Sequence, residues 1–488
     1  MKKIVTLIWI IALPCLMNAQ EGMTLDQCRK LALEHNQKIK MAKNQVKAAD
    51  AVKKAAFTQY FPDFSANGAY TYINKDYQLL KSDLFLPVVP YSAIDPATGQ
   101  LSQAALSTPS VAASTFVINP ATGTVVTDAS GNPVFQKYTY LPAAKSQLSL
   151  DNVYIFNGGF TQPIFMGGKI RQANKIASYT REIAEHNLSL NEDELIYSVD
   201  EAYWRIISLK EKVKLAEQYK SMLTRLVNDL SNIHSEGIIT NNDLLKAKLK
   251  LSESELLLLQ ARNGMEISKM VLCQMTGTVY TSEVNFSDSL NTIDPVLTDY
   301  PVTAESVAAR PELKILDRNV DIAKSGVKIM MSRYLPNIVM NAGYTFMNPN
   351  PYNGLAKEFG SDYNIGVAVN IPIFHFGDKK HTLDAAKLEQ ETASLKLEES
   401  KELILLQLQQ AVYKCTESIK KNEYASQAFD QASENLKYTE DNFHEGRMKT
   451  SDLLEAQVLW QKAWSELIDA RTEKQLSVSN LKKVTGKY

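Results

Sequence analysis

One long segment occurs twice in this chain, and neither copy has gained or lost a residue. Gln162-Pro163-Ile164-Phe165 returns as Ile371-Pro372-Ile373-Phe374, and Thr276-Gly277 returns as Thr485-Gly486. Between them, Glu236-Gly237 with Asp243-Leu244-Leu245 returns as Glu445-Gly446 with Asp452-Leu453-Leu454, every pair 209 positions apart. Loops tolerate length changes and packed elements do not. The repeated segments are therefore long and tightly constrained, which decides the architecture before any local reading. Upstream, Tyr60-Phe61-Pro62 and Tyr70-Thr71-Tyr72 match Tyr334-Leu335-Pro336 and Tyr344-Thr345-Phe346 at 274 positions. The first copy thus carries 65 extra residues between Tyr72 and Pro163.

Each copy contains the same series of patterns. Leu25, Cys28, Leu31, Ala32, Ile39, Ala42, Val46 and Ala49 recur at helical spacing behind Thr24, predicting one helix over 24–60 that Pro62 stops. The counterpart is a helix over 303–334. From Phe64 the period changes to two, with Phe64, Ala66, Gly68, Tyr70 and Tyr72 on one face. The second copy alternates likewise over 337–347 and again from Tyr363 to Ile371. Apolar residues facing small polar ones, with tyrosines near the ends, suit either a membrane-barrel strand or a soluble sandwich strand. The helices that follow leave no further strands from which to build a sandwich. After Gly168 and Gly377 come Ala-, Leu-, Glu- and Lys-rich stretches without proline, each broken at a glycine, Gly237 and Gly446, and then resumed. Each copy thus predicts a helical hairpin whose first arm is on the order of 100 Å long. The fold class is mixed α and β. The first repeat covers 20–286, with strands near 63–75 and 149–163, a long outer loop over 76–148 and a hairpin over 168–276. The second covers 287–488, with strands near 337–347 and 363–373 and a hairpin over 377–485.

Met1-Lys2-Lys3, the apolar run Ile4–Leu13 and Ala19 read as a signal peptide over 1–19. Cys15 follows Ala12-Leu13-Pro14, a context that does not suggest a lipid anchor. With 53 basic and 54 acidic residues there is no net field to attract nucleic acid. No later stretch has 18 consecutive apolar residues, so a membrane-embedded form has to be a β-barrel. Four strands cannot close one, since about eight are the minimum. Several chains have to contribute. No metal, cofactor or catalytic constellation stands out. His375 and His381 do not share a helix face, and Cys28, Cys273 and Cys415 read as buried apolar residues.

These motifs together resemble the TolC-type outer-membrane efflux proteins. The matching residues are Thr24-Leu25 through Tyr60-Phe61-Pro62, the Ala-Arg-Pro-Glu-Leu run at 309–313, the two Pro-Ile-Phe…Gly transitions and the two glycine-tipped hairpins. The resemblance covers essentially the whole mature chain. It implies a homotrimer with a twelve-stranded barrel, four transmembrane strands per chain, in the outer-membrane lipid. An α-helical barrel built from two hairpins per chain would extend into the periplasm. It also implies a passive exit duct of a tripartite efflux or type I secretion system, carrying drugs, metabolites or ions. The partners would be a periplasmic adaptor and an inner-membrane pump of RND, ABC or MFS type, with no cofactor and no enzymatic activity.

Of the candidate site residues, Asp452 and Glu455 match the acids that line the family's periplasmic entrance, with Asp243 in the first copy. Asp-x-x-Glu also reads as a helix-capping sequence, so both roles stay open. The family's entrance latch uses an arginine where this chain has Met448, with Arg447 beside it. Gly237 and Gly446 are the expected tip turns beside which an adaptor docks. Pro163, Gly168, Pro372 and Gly377 mark the strand-to-helix transitions. Two alternatives remain at this stage: a periplasmic helical scaffold or adaptor, and an outer-membrane receptor or adhesin working through the 73–148 loop.

Overall fold

The repeated segment forms two helices of equal length. In a computed structural model that describes residues 22–290 and 303–486, Lys169–Ser235 and Asp378–His444 are each one uninterrupted helix of 67 residues. The expected signal peptide over 1–19 lies outside the described residues. In chain order the elements begin with α1 (Leu25–His35), α2 (Gln37–Thr58), β1 (Asp63–Tyr72), β2 (Tyr77–Gln78) and β3 (Leu84–Pro87). Next come α3 (Gln103–Leu106), α4 (Pro109–Thr115), β4 (Tyr138–Leu141), β5 (Gln147–Leu148), β6 (Asn152–Met166), α5 (Lys169–Ser235) and α6 (Asn241–Thr276). The chain continues with α7 (Ala304–Val307), α8 (Pro311–Ser332), β7 (Asn337–Asn348), β8 (Gly360–Asn370), α9 (Asp378–His444) and α10 (Thr450–Val484).

Two units emerge. The helical unit takes the chain through Gln59, residues 166–336 and everything from Ile371 onward. In it α6 folds back on α5 and α10 on α9, and α10 also packs on α5. α2 and α8 flank α5, while α8 also reaches α9. The helix expected over 24–60 is broken at Asn36, whose ψ of 132° is extended. Asn36 caps α2 by accepting from the Lys38 N–H (2.9 Å) and donates its amide to the Met275 carbonyl at the end of α6 (3.2 Å). One side chain thus joins the ends of two helices. The helix expected over 303–334 is likewise interrupted. α8 starts at Pro311, whose missing N–H and fixed φ suit a first helical position.

The β unit is Tyr60–Phe165 with Asn337–Asn370. Its main sheet has the order β1-β6-β7-β8, so β1 and β8 are open edges. β1 pairs antiparallel with β6 from Asp63↔Thr161 to Tyr72↔Asn152, and β7 pairs with β8 from Asn337↔Asn370 to Met347↔Gly360. Tyr363, Ile365, Val367 and Val369 share one exposed face of β8. Phe64 on Phe160 (5.5 Å between rings) and Tyr70 on Tyr154 (5.1 Å) are cross-strand aromatic pairs. The strand bounds differ from expectation: β6 runs on to Met166, whereas β8 ends at Asn370 rather than near 373.

The segment 76–148 is not an open loop. Past Tyr72↔Asn152 the same antiparallel pairing resumes at Tyr77↔Leu148, then Leu84↔Leu141, and Val88 N–H still reaches the Lys137 carbonyl (2.9 Å). The register slips once, five residues on one arm against four on the other, and the β1–β6 hairpin becomes one long ribbon. Its far end carries α3, α4 and two matching turns. Asp95 and Asn119 each accept the N–H of a glycine four residues on, Gly99 and Gly123, at 2.8 Å.

Candidate functional site

Each strand-to-helix turn contains two consecutive left-handed residues. In the first copy these are Gly167 (φ 59°) and Gly168 (φ 85°), with Gly168 as the N-cap of α5. In the second they are Phe376 (φ 37°) and Gly377 (φ 86°). A phenylalanine in this region is strained. A glycine is obligatory at 167, where an added Cβ would lie 2.8 Å from the Ser332 carbonyl oxygen. Pro163 sits two residues past Thr161, where the β1 ladder ends, so its missing N–H breaks no pair with β1. The second turn is fastened by polar contacts of its own. Arg333 pairs with Asp378 (2.6 Å) and donates to the Thr382 hydroxyl (3.0 Å), and Lys379 donates to the Pro372 carbonyl (2.7 Å). None of these partners has a counterpart in the repeat motifs, so no repeated pattern pointed to them.

At the far end of the hairpins, Gly237 (φ 75°) and Gly446 (φ 73°) each close a Schellman turn. Their N–H groups reach His234 and Phe443 carbonyls, and the next residues, Ile238 and Arg447, reach Ile233 and Asn442 (3.3 and 2.8 Å). The first tip is thus finished by an isoleucine pair, the second by an arginine and an asparagine. Arg447 folds onto Glu445 (2.7 Å) and stays exposed. The acids divide by role. Asp243 accepts the Thr240 hydroxyl at 2.7 Å, while Thr240 accepts the Asp243 N–H at 3.4 Å, so this carboxylate is engaged in capping α6. Asp452 accepts the Lys449 N–H (3.2 Å) and the Ser451 hydroxyl (3.1 Å), capping α10 from one side only, since Lys449 has no side-chain acceptor to return. Glu455, one turn on, is exposed and has no ion pair among the described residues. The two tips border a cleft of about 790 Å³, lined by Ile238, Asp243, Lys246, Phe443, Met448 and Thr450 among others. Met448 therefore faces the same cleft as the first-copy tip; Asp452 and Glu455 are not among its lining residues.

Two hairpins of very long helices, joined through β-hairpins with unsatisfied edges, make up a subunit of an outer-membrane channel. Residues 101–278 and 303–487 match the family model described as outer membrane efflux protein. The chain belongs to that family. It is an outer-membrane efflux channel protein and not an enzyme. The outer membrane protein TolC of Vibrio cholerae is 22% identical over 308 residues, covering 62% of this chain and 70% of that protein. The cobalt-zinc-cadmium resistance protein CzcC of Cupriavidus metallidurans is 22% identical over 219 residues, covering 43% of this chain and about half (49%) of that one. Among solved structures, the Campylobacter jejuni CmeC outer membrane channel superposes with a TM-score of 0.71 at 15% identity, over 95% of this chain and 85% of its own. Family membership removes the alternative of a soluble periplasmic scaffold.

Proposed function

We propose that three copies of this chain close into one export duct, and the observation that carries this is an unfilled place in the duplication. α5 is flanked by α6 and α2 of its own repeat and by α10 and α8 of the other. α9 is flanked by α10 and α8 of its own repeat, and among the described residues neither α6 nor α2 of the other repeat packs along it. The same positions report it. Trp204 is 5% exposed while Tyr413, its equivalent 209 residues on, is 77% exposed; Leu215 and Tyr424 stand at 3% and 68%. α6 offers the complementary surface, with Leu245, Leu249, Leu256 and Ile267 exposed along it. A head-to-tail contact of α9 with α6 and α2 of the next chain closes into a ring when the rotation allows. β8 of one chain then pairs with β1 of the next, and four strands from each of three chains make a twelve-stranded barrel wide enough for a channel.

In this reading the duct is passive, with an adaptor docking at the Gly237 and Gly446 tips and an inner-membrane pump of RND, ABC or MFS type supplying the energy. The system is tripartite efflux or type I secretion. Similarity to proteins as different as TolC and CzcC supports a cargo range of small molecules that includes ions. Asp452 and Glu455, repeated three times, form acidic rings at the periplasmic entrance that favour cations. Mass measurement of the detergent-solubilised full-length protein tests the assembly: trimers are expected, and a stable folded monomer overturns it. Asp452→Ala with Glu455→Ala should reduce cation selectivity in planar bilayers, and an unchanged reversal potential takes these acids out of the pore.

A further inference from the structure

The ribbon formed by residues 73–148 has an uncovered apolar surface on both faces. Leu84, Leu86, Val88 and Leu141 lie 39–45% exposed on one face, and Phe85 and Tyr140 lie 61% and 52% exposed on the other, their rings 5.0 Å apart. The ribbon has a defined shape: Asp83 accepts the Tyr140 hydroxyl (2.7 Å) and the Ala143 N–H (2.9 Å), fixing the two arms together. A contiguous run of exposed apolar side chains such as Leu84-Phe85-Leu86-Pro87-Val88 marks a surface that is covered in the assembled protein. We propose that the cover is the same ribbon from the other two copies. The three ribbons converge on the three-fold axis and narrow the outer mouth of the duct. This rests on the trimeric reading above.

Register and dimensions favour this occupant. The ribbon continues the β1–β6 pairing, so β3 lies along the same edge as β1, which in the closed barrel faces β8 of the next chain. β8 begins only at Gly360, opposite Met347, and the β7–β8 hairpin ends with the eleven-residue connection 349–359. Above that level the β3 edge has no strand to meet. Twelve strands about 4.8 Å apart and tilted by about 40° close a ring about 24 Å across, which sets equivalent points on its rim about 20 Å apart. Residues 73–88 span at most about 50 Å along the strand, about 40 Å along the barrel axis at that tilt. Ribbons about 10 Å thick then touch if each leans inward by about 6 Å, a small inclination over that rise. An outside partner could cover the surface only while bound, whereas the sister copies are present whenever the channel is assembled.

Site-specific cross-linking tests this in the full-length protein in outer membranes. Leu86→Cys and Val88→Cys are suitable because both side chains are exposed, and the wild type, whose Cys28, Cys273 and Cys415 are buried, is the control. A bis-maleimide of about 10 Å reach, matched to the ribbon thickness, should convert more than half of either variant into covalent dimers and leave the wild type unlinked. The same samples are weighed for trimer. Trimers without cross-links in both variants overturn the convergence and leave the trimeric duct standing. Cross-links only to another protein also overturn it, and assign the ribbon to an external partner. Monomers in the wild type remove the assembly and this inference together.

Discussion

The long helix of the first repeat is packed on by helices of both repeats, whereas among the described residues that of the second is packed mainly by its own repeat. α5 and α9 have the same length, the same glycine cap and several of the same alanines, yet α5 buries Val199, Tyr203, Ile206, Leu223 and Leu230 while α9 buries mainly Leu408, Ala411 and Cys415. Duplication set the geometry of both copies; the neighbours available to each copy set its composition. Where α5 meets α1, for instance, Asp200 is fully buried and held bidentately by Arg29 at 2.6 Å from each oxygen. The equivalent position in α9 is Gln409, exposed and uncharged. A charge was placed in the copy that can surround it.

That contrast can be broken at graded cost. Arg29→Ala should be the most damaging, because it leaves a buried carboxylate without its cation, a loss of about 3–5 kcal/mol. Melting of the helical signal in detergent measures it, and Asp200→Asn in the same background should recover most of the loss. Gly167→Ala comes next, at about 1–3 kcal/mol from the left-handed backbone plus the clash with Ser332. The opposite change at the equivalent position, Phe376→Gly, relieves about 1–3 kcal/mol of strain against about 1 kcal/mol of added unfolded-state entropy, so stability should rise; equal signs in the two variants would mean the turns are not equivalent. A smaller, pH-dependent difference is expected at Asp193. Burial first, then Glu312 and Glu192, push its carboxyl up to about 6 against Lys483 and Arg310, whereas its equivalent Glu402 is exposed. An acid raised in the folded state binds more protons folded than unfolded between pH 4 and 6, so the folded form loses stability as pH rises through that window. Asp193→Asn should therefore flatten the melting temperature between pH 4 and 6 and raise it at pH 7, and Glu402→Gln should do neither. The smallest effects belong to the tips: Asp243→Ala and Asp452→Ala each remove a cap worth about 1 kcal/mol or less. Asp452 should cost more, since its carboxylate accepts both the Lys449 N–H and the Ser451 hydroxyl, whereas Asp243→Ala loses only the Thr240 hydroxyl bond and keeps the backbone N–H to Thr240.

The large-scale architecture was legible because constant spacing is a long-range signal that local noise cannot erase. Pro163 and Pro372, Gly237 and Gly446 showed that two long helical hairpins had to match in length, and the alternating segments exposed the strands between them. The ribbon was not legible. Its ladders are only two to four residues long, embedded in Pro-, Ser- and Gly-rich sequence, and their pairing is dictated by a hairpin that starts far away at Asp63 and Thr161. The break at Asn36 was hidden for a related reason, since the helical periodicity continues across it and only the Met275 carbonyl explains why the chain stops there. At the tips, Asp-x-x-Glu is compatible with capping and with pore lining because both need an acid in the first turn. The structure adds that the Asp243 carboxylate accepts one hydrogen bond and that of Asp452 two, while Glu455 has no ion pair among the described residues.

The unequal flanking of the two 67-residue helices has a mechanical consequence. A wall is most compliant where its members are least constrained. α5 is braced by α1, α2, α6, α8 and α10, so displacing it disrupts the whole subunit. α9 leans on α10, α8 and the short α7, and among the described residues its other flank is not covered by α6 or α2. In the proposed trimer, α9 would therefore be the wall member that swings about its attachment to α10, with α5 as the stave against which it moves.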